Sequence, residues 1–398
     1  MDTSKRIKEL NVSPIRKLIP YAEQCEDRGI DVIKLNIGQP DIETPQEYID
    51  AIKDYDGKVL EYVHSRGLNY FIDTIINYYK RFGLDYKFDD IIVTQGASEA
   101  LMYVMMTICD LEDEILVFEP FYANYNNFAD IVNVKLVPVT TYAEDGFRIP
   151  DLKTIEKSLT KKTRGVLISN PSNPTGRIYS KEELDTLAEL AIKYDLFIIS
   201  DEVYKEFNYT DEKFFSFGNY SNLEDRVILV DSISKRFSCC GARIGNIATK
   251  NKGVIEGFMK LAQARLSVAT LEQHAAAALE KVSPEYIRET KRRYKARRDL
   301  LVDRLSKMPG VLTNEPNGAF YSIVKLPVDD AEKFVIWTLE NISINDKTVL
   351  ITPAKGFYLT PGLGENEVRI SYCVNTDILS DAMDILELAL NKYPNRTV

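Results

Sequence analysis

The stretch RGVLISNPSNPTGRIYSKEELDTLAELAIKYDLFIISDEVY (164–204) decides the fold. It opens on one apolar, β-branched run, RGVLISN (164–170), and closes on another, LFIISDEVY (196–204). Between them, SKEELDTLAELAIKY (180–194) carries its apolar residues at helical spacing. Ser180 stands where an N-cap belongs, and Glu183 three residues on completes a capping box. Continuous apolar strands with helices between them imply a mostly parallel sheet covered on both faces.

The same alternation extends from about residue 90 to 250. IIVT (91–94) precedes the helical pattern GASEALMYVMMTI (96–108), and EILVFEP (114–120), VKLVPV (134–139) and RVILVDSISK (226–235) read as further strands. This is an α/β layer architecture. After Asn251 the pattern turns to long helical stretches reaching about residue 306. One of them, PEYIRETKRRYKARRDLLVDRL (284–305), is rich in Arg and Lys, but acidic residues interleave and a solvated helix face is expected. Beyond Pro309 come the strand-like GAFYSIVKL (318–326), TVLITP (348–353) and EVRISYCV (367–374) between helices, which read as a smaller α+β domain. The first 40 or so residues stand outside the central alternation and are expected to pack on that second domain. The chain is therefore read as a large domain over 41–290 and a discontinuous small domain over 1–40 and 291–398.

Composition narrows the function. The 398 residues are 45% hydrophobic and 28% charged, which is ordinary globular usage. The net charge of −10 disfavours nucleic acid as a partner. No apolar run is long enough to span a bilayer, and MDTSKRIKELNVSP (1–14) has no apolar segment of the secretory type, so a cytoplasmic protein is expected. Five cysteines, at 25, 109, 239, 240 and 373, form no CxxC pair, so reduced thiols are expected rather than a disulfide framework or a zinc site. There are two histidines, His64 and His274, too few for a site of several imidazoles, and His274 sits in a helical pattern. Acid–base chemistry must come from lysine, tyrosine, carboxylates or a cofactor, and no metal is expected.

In parallel α/β sheets ligands bind beyond the carboxyl ends of the strands. Gly96-Ala97-Ser98 follows IIVT and opens a helix, where free amides and the helix dipole favour an anion, although a glycine before a capping serine is also common. Ser232-Ile233-Ser234-Lys235 with Gly241-Ala242-Arg243 sets two hydroxyls, a lysine and an arginine near one strand end. A guanidinium suits a phosphate, and a lysine there can act as a nucleophilic amine or be a surface residue. Asp201 and Tyr204 follow a fully apolar strand. A carboxylate so buried needs a partner such as a protonated pyridine nitrogen, unless it caps the next turn. Asn173-Pro174-Thr175-Gly176 reads as a rigid turn.

Together these motifs resemble the pyridoxal-phosphate aminotransferases of fold type I, in the class I and II aspartate/aromatic branch. The resemblance rests on Asn170-Pro-Ser-Asn-Pro-Thr-Gly176, Asp201-x-x-Tyr204, Ser232-x-Ser-Lys235 with Arg243 eight residues on, and Val368-Arg369-Ile370. LNIGQPDIETP (35–45) looks like the family's entry segment, and Tyr62 with Gly67 five residues later matches another signature. The resemblance spans roughly residues 10 to 390. It implies a mostly parallel seven-stranded sheet in the large domain, and pyridoxal 5'-phosphate held by Lys235 as a Schiff base. Asp201 would pair with the ring nitrogen, Tyr204 and Asn173 would contact the ring oxygen, and Tyr122 would stack on the ring. Ala97, Ser98, Ser232, Ser234 and Arg243 would hold the phosphate. Tyr62 would reach the phosphate of a neighbouring subunit, which implies a homodimer with shared active sites. Arg369, helped by the Gly38 backbone, would clamp the substrate carboxylate, and Phe320 and Tyr321 would lie near the cofactor. The implied reaction is ping-pong transfer of an amino group from an L-amino acid to a 2-oxo acid. A carbon–sulfur β-lyase or an amino-acid decarboxylase on the same scaffold is the alternative.

Substrate identity is less determined. Some bacterial aspartate aminotransferases of the family carry a lysine where this chain has Ser98. Arg16, in Ser13-Pro14-Ile15-Arg16, falls in the segment that lines the substrate side chain in the family. It is expected either to pair with a distal carboxylate or to form a surface salt bridge. The segment after Gly67 reads Asn69-Tyr-Phe-Ile72 where relatives often have Leu-Arg. The 23 tyrosines and 17 phenylalanines are better explained by packing than by an aromatic substrate.

Overall fold

The computed structural model describes residues 1–10 and 13–397. A first strand, β1 (Asp31–Lys34), stands apart from the central sheet. That sheet takes the next seven: β2 (Ile91–Thr94), β3 (Glu114–Glu119), β4 (Lys135–Thr140), β5 (Thr163–Ser169), β6 (Phe197–Asp201), β7 (Val227–Ser232) and β8 (Gly245–Ala248). Their order is β2-β8-β7-β6-β5-β3-β4, and β8 alone runs against its neighbours.

The apolar runs of the sequence become strands buried on both faces. Side chains alternate along a strand, so Val166, Ile168 and Ile198 face one core and Leu167 and Ile199 the other. The first core is closed by the helix Lys181–Tyr194, whose Leu184, Leu187, Leu190 and Ala191 are buried. Its Ser180 cap accepts from the Glu183 amide, and the Glu183 carboxylate returns to the Ser180 amide, as the sequence pattern requires. The second core is closed by the helix Gly96–Ile108.

Two elements depart from the sequence reading. β8 carries Gly245 and Asn246 in only four residues, a composition that does not signal a strand. It forms because the chain turns back after Lys235 between two strands that already present unpaired edges. β1 was likewise not apparent; it pairs in parallel with β11 (Lys347–Leu350), Asp31 opposite Lys347.

The remaining strands are β9 (Leu312–Thr313), β10 (Tyr321–Lys325), β12 (Thr352–Pro353) and β13 (Glu367–Ser371), which form an antiparallel sheet ordered β12-β13-β10-β9. The Arg- and Lys-rich stretch is one continuous helix, Pro284–Ser306. Its exposed arginines pair with Glu285 and Glu289 one turn away, while Tyr294, Leu301 and Leu305 are buried in the core that includes β10 and β13. Among the described residues all five cysteines are free thiols and no helix is long and apolar enough to cross a membrane.

Candidate active site

The parallel strands deliver their carboxyl ends to one edge of the sheet, and a cavity of about 850 Å³ opens there. Every residue expected at the site from sequence lines it except Tyr62 and Phe320. Tyr62 lies outside, 82% exposed, close in the chain to the exposed Val59 and Leu60. Arg16 is at the cavity rim, and among the described residues no carboxylate pairs with its guanidinium. Phe320 does not line the cavity as expected; it is buried behind Tyr204, the two rings edge to face at 5.2 Å.

Asp201 ends β6 with its carboxylate buried. One oxygen accepts a 2.6 Å hydrogen bond from Tyr125 and the other a longer one from the Val203 amide. Among the described residues it has no ion pair. Burial lifts its pKa to about 6, against the pull of those two donors. Lys235 is held on a single helical turn, Ile233–Arg236, after β7. Its Nζ donates to the Gly38 carbonyl at 2.8 Å and lies 3.8 Å from the Cys240 thiol. Burial holds the Tyr204 phenol well above its ordinary range, and its hydroxyl pairs with that of Tyr321 at 3.0 Å. The Tyr122 hydroxyl accepts from Asn124 at 2.9 Å.

Anion-binding groups cluster at the other end of the cavity. The Ser232 and Ser234 hydroxyls are 2.8 Å apart, and Ser232 donates to the Ile244 carbonyl. Gly96 opens its helix with φ +72°, and a Cβ there would lie 2.5 Å from the Arg243 guanidinium. A Cβ at Gly245 would lie 2.9 Å from the Ala97 amide. Only glycines let the helix start, the arginine and β8 close to this distance. The result is a cup of amide, hydroxyl and guanidinium donors at a helix N-terminus, which suits a phosphate.

Arg369 on β13 is 1% exposed. Its guanidinium donates to the Asn173 side-chain oxygen at 3.1 Å and to the Asn36 carbonyl at 2.7 Å, and lies over the Tyr321 ring. Among the described residues its Nε has no hydrogen-bond partner. A buried guanidinium held by neutral acceptors alone retains its charge for a carboxylate.

Tyr125 and Asn36 were not found by sequence reasoning. The only signal for Tyr125 was an aromatic residue three positions after Tyr122, and Asn36 lies two before Gly38 in the segment already singled out.

Comparison with known proteins agrees over the whole chain. Residues 30–386 match the family model described as aminotransferase class I and II. The chain is 32% identical over 394 residues to an aspartate aminotransferase of Pyrococcus horikoshii, covering 97% of each. It is 30% identical to aromatic-amino-acid aminotransferase 2 of Thermococcus litoralis, covering 98% of this chain and 99% of that one. The crystal structure of an aspartate aminotransferase from Thermotoga maritima superposes with a TM-score of 0.89 at 32% identity, covering 98% of this chain and all of that one.

Proposed function

The chain belongs to the class I and II aminotransferases, and on that premise we propose that Lys235, Asp201 and Tyr204 carry its reaction in the cavity beyond the central sheet. The protein is a pyridoxal-phosphate-dependent transaminase. The observation that carries the residue assignment is the meeting, in one cavity, of a lysine amine, a buried carboxylate without an ion pair, and the Ser232–Ser234–Arg243 cup.

These residues fit the cofactor's chemistry. Asp201 offers a buried negative charge to a protonated ring nitrogen, and the glycine-lined cup offers donors to a phosphate. When bound, pyridoxal phosphate would supply the aldehyde carbon that takes up the amino group and the electron sink for the pair left on the substrate α-carbon by loss of its proton. Asp201 would keep the ring nitrogen protonated. Tyr204 and Asn173 would donate to the ring oxygen, and Tyr122 would lie against the ring. Ala97, Ser98, Ser232, Ser234 and Arg243 would hold the phosphate. Arg369 and the Gly38 backbone orient the substrate carboxylate, which fixes the α-carbon toward Lys235. The Lys235 amine is the base that takes the proton from the α-carbon and the acid that would deliver it to the carbon that had been the cofactor's aldehyde carbon.

We further read the enzyme as a cytoplasmic homodimer of 41–290 and 1–40/291–398 protomers. The β1–β11 pairing supports joining the N-terminal segment to the C-terminal one. The exposed Val59, Leu60 and Tyr62 support a partner contact through which Tyr62 reaches a second site. Five unpaired cysteines accord with a reducing compartment.

Adding one amino acid at a time to holoenzyme without a 2-oxo acid tests the reaction. The expected result is conversion of the visible cofactor band with one equivalent of 2-oxo acid released per site. Release of pyruvate and ammonia from cystathionine, or of carbon dioxide, would instead identify a lyase or decarboxylase.

The same panel tests specificity. Its relatives' names span aspartate and aromatic amino acids, and the unpaired Arg16 at the cavity rim favours a dicarboxylic donor here. Arg16→Ala is expected to lower kcat/KM for aspartate and glutamate by about tenfold to a hundredfold, the worth of a charged hydrogen bond. Neutral amino acids should be little affected; equal losses for all donors would remove Arg16 from the pocket.

A further inference from the structure

Four charged side chains lie buried just outside the cavity, and the reaction described above uses none of them. They are Glu202, Lys205, Asp231 and Arg236, each 5% exposed or less. None lines the cavity. Each is nevertheless the chain neighbour of a residue that does: Glu202 follows Asp201, Lys205 follows Tyr204, Asp231 precedes Ser232 and Arg236 follows Lys235.

Asp231 is the hub. Both of its oxygens are 2.9 Å from the Arg236 Nη1, and one is 3.0 Å from the Lys205 Nζ. It also accepts a 2.7 Å hydrogen bond from the Ser232 amide. Arg236 donates in addition to the Ser232 carbonyl at 3.1 Å, and its guanidinium lies 3.9 Å over the Tyr78 ring. Lys205 lies 4.6 Å from the centre of the Tyr79 ring and 3.8 Å from Glu202. Glu202 in turn is fixed by the hydroxyls of Ser200 and Ser216, at 3.0 and 2.6 Å. The ion pairs thus run from the end of β6 to the end of β7 and onto the turn that carries Lys235.

Burying four charges gives a fold little stability that apolar packing would not give as well. A chain of buried ion pairs and hydrogen bonds that joins two strand ends does fix their relative position, although Glu202 Oε2, Lys205 Nζ and Arg236 Nε have no hydrogen-bond partner among the described residues. We propose that Asp231 and Arg236 are positioning residues, which with Lys205 and Glu202 lock the Lys235 turn against the end of β6 and so set where the lysine amine stands relative to the Asp201 carboxylate. The inference rests on the assignment of Lys235 and Asp201 above.

Arg236→Met and Arg236→Lys test it in the holoenzyme, with Lys235→Ala run alongside. Arg236→Met is expected to lower kcat by about tenfold or more, the usual effect of removing a supporting partner. KM should change little, cofactor should dissociate more readily, and the circular dichroism of the visible cofactor band should change, since it reads how the cofactor is held. Arg236→Lys, which keeps the charge beside Asp231, should recover part of kcat and of the band. A folded Arg236→Met with wild-type kcat, cofactor affinity and band would overturn the proposal. So would losses that disappear on assay well below the variant's Tm, because they would report stability alone. If Arg236→Met does not fold, Glu202→Gln/Lys205→Met, which removes the other ion pair and leaves Asp231–Arg236 in place, should show the same changes to a smaller degree. A wild-type result there, or failure of that variant to fold as well, counts against positioning. Lys235→Ala separates the two readings: if it still carries covalently bound cofactor, the site assignment itself falls.

Discussion

Lys235→Ala is expected to lower transamination by roughly four orders of magnitude, the upper end of what one positioned acid–base group contributes, while the protein keeps its fold. Lys235 sits on a one-turn helix at a strand end, and its amine makes only a hydrogen bond to the Gly38 carbonyl and a long contact with Cys240. Truncating it removes no core packing, so Tm should move little. Two measurements accompany the kinetics. Borohydride should no longer fix cofactor to the peptide containing residue 235. Small primary amines in the buffer should restore part of the activity, because the missing function is proton transfer by an amine. A variant that keeps more than about a tenth of wild-type kcat, a barrier change of only about 1.4 kcal/mol, would show that the amine is not the acid–base group.

Asp201→Asn is expected to cost roughly a hundredfold to several thousandfold in kcat, matching the about 3–5 kcal/mol of a broken buried charge pair. The same residue makes the cofactor-stripped protein sensitive to pH, in a direction that can be worked out. Burial raises the Asp201 pKa from its ordinary 3.8 to about 6. Between those values the folded chain holds a proton that the unfolded chain has released. Stability is therefore full below about pH 4 and falls as pH rises through 6, by about 3 kcal/mol. Stripped Asp201→Asn should escape this loss and melt above stripped wild type at pH 8, the two converging near pH 4. A bound cationic ring reverses the effect, so holoenzyme should not show it. Identical pH–stability curves for the two stripped proteins would mean that Asp201 is not held in a low-dielectric site.

Much of this could be read from the chain because local and tertiary demands coincide there. The Ser180–Glu183 box, the helical apolar spacing after it and the flanking apolar runs agree on one β-α-β unit, and the helix forms where they indicate. Site residues were legible where they follow strand ends, since topology alone gathers those positions. Tyr125 was not, because its hydroxyl meets Asp201 only once a helix has set its direction. β8 was not, because Gly245 and Asn246 signal nothing until packing against Gly96 and Ala97 requires a residue without a side chain. Nothing in the sequence marks Lys205 and Arg236 as buried; only the fold shows them so.

The position of β8 has a consequence for biosynthesis. It lies between β7 and β2, so the strand that holds the Ser232–Arg243 segment against Gly96 and Ala97 begins only at residue 245. Domains form from the N-terminus while synthesis proceeds, yet a nascent chain that ends before that strand has no wall joining the two halves of the cup. On the ribosome the coenzyme can be gripped only after well over half of the polypeptide has emerged, and truncated chains ending before residue 245 should fail to retain it.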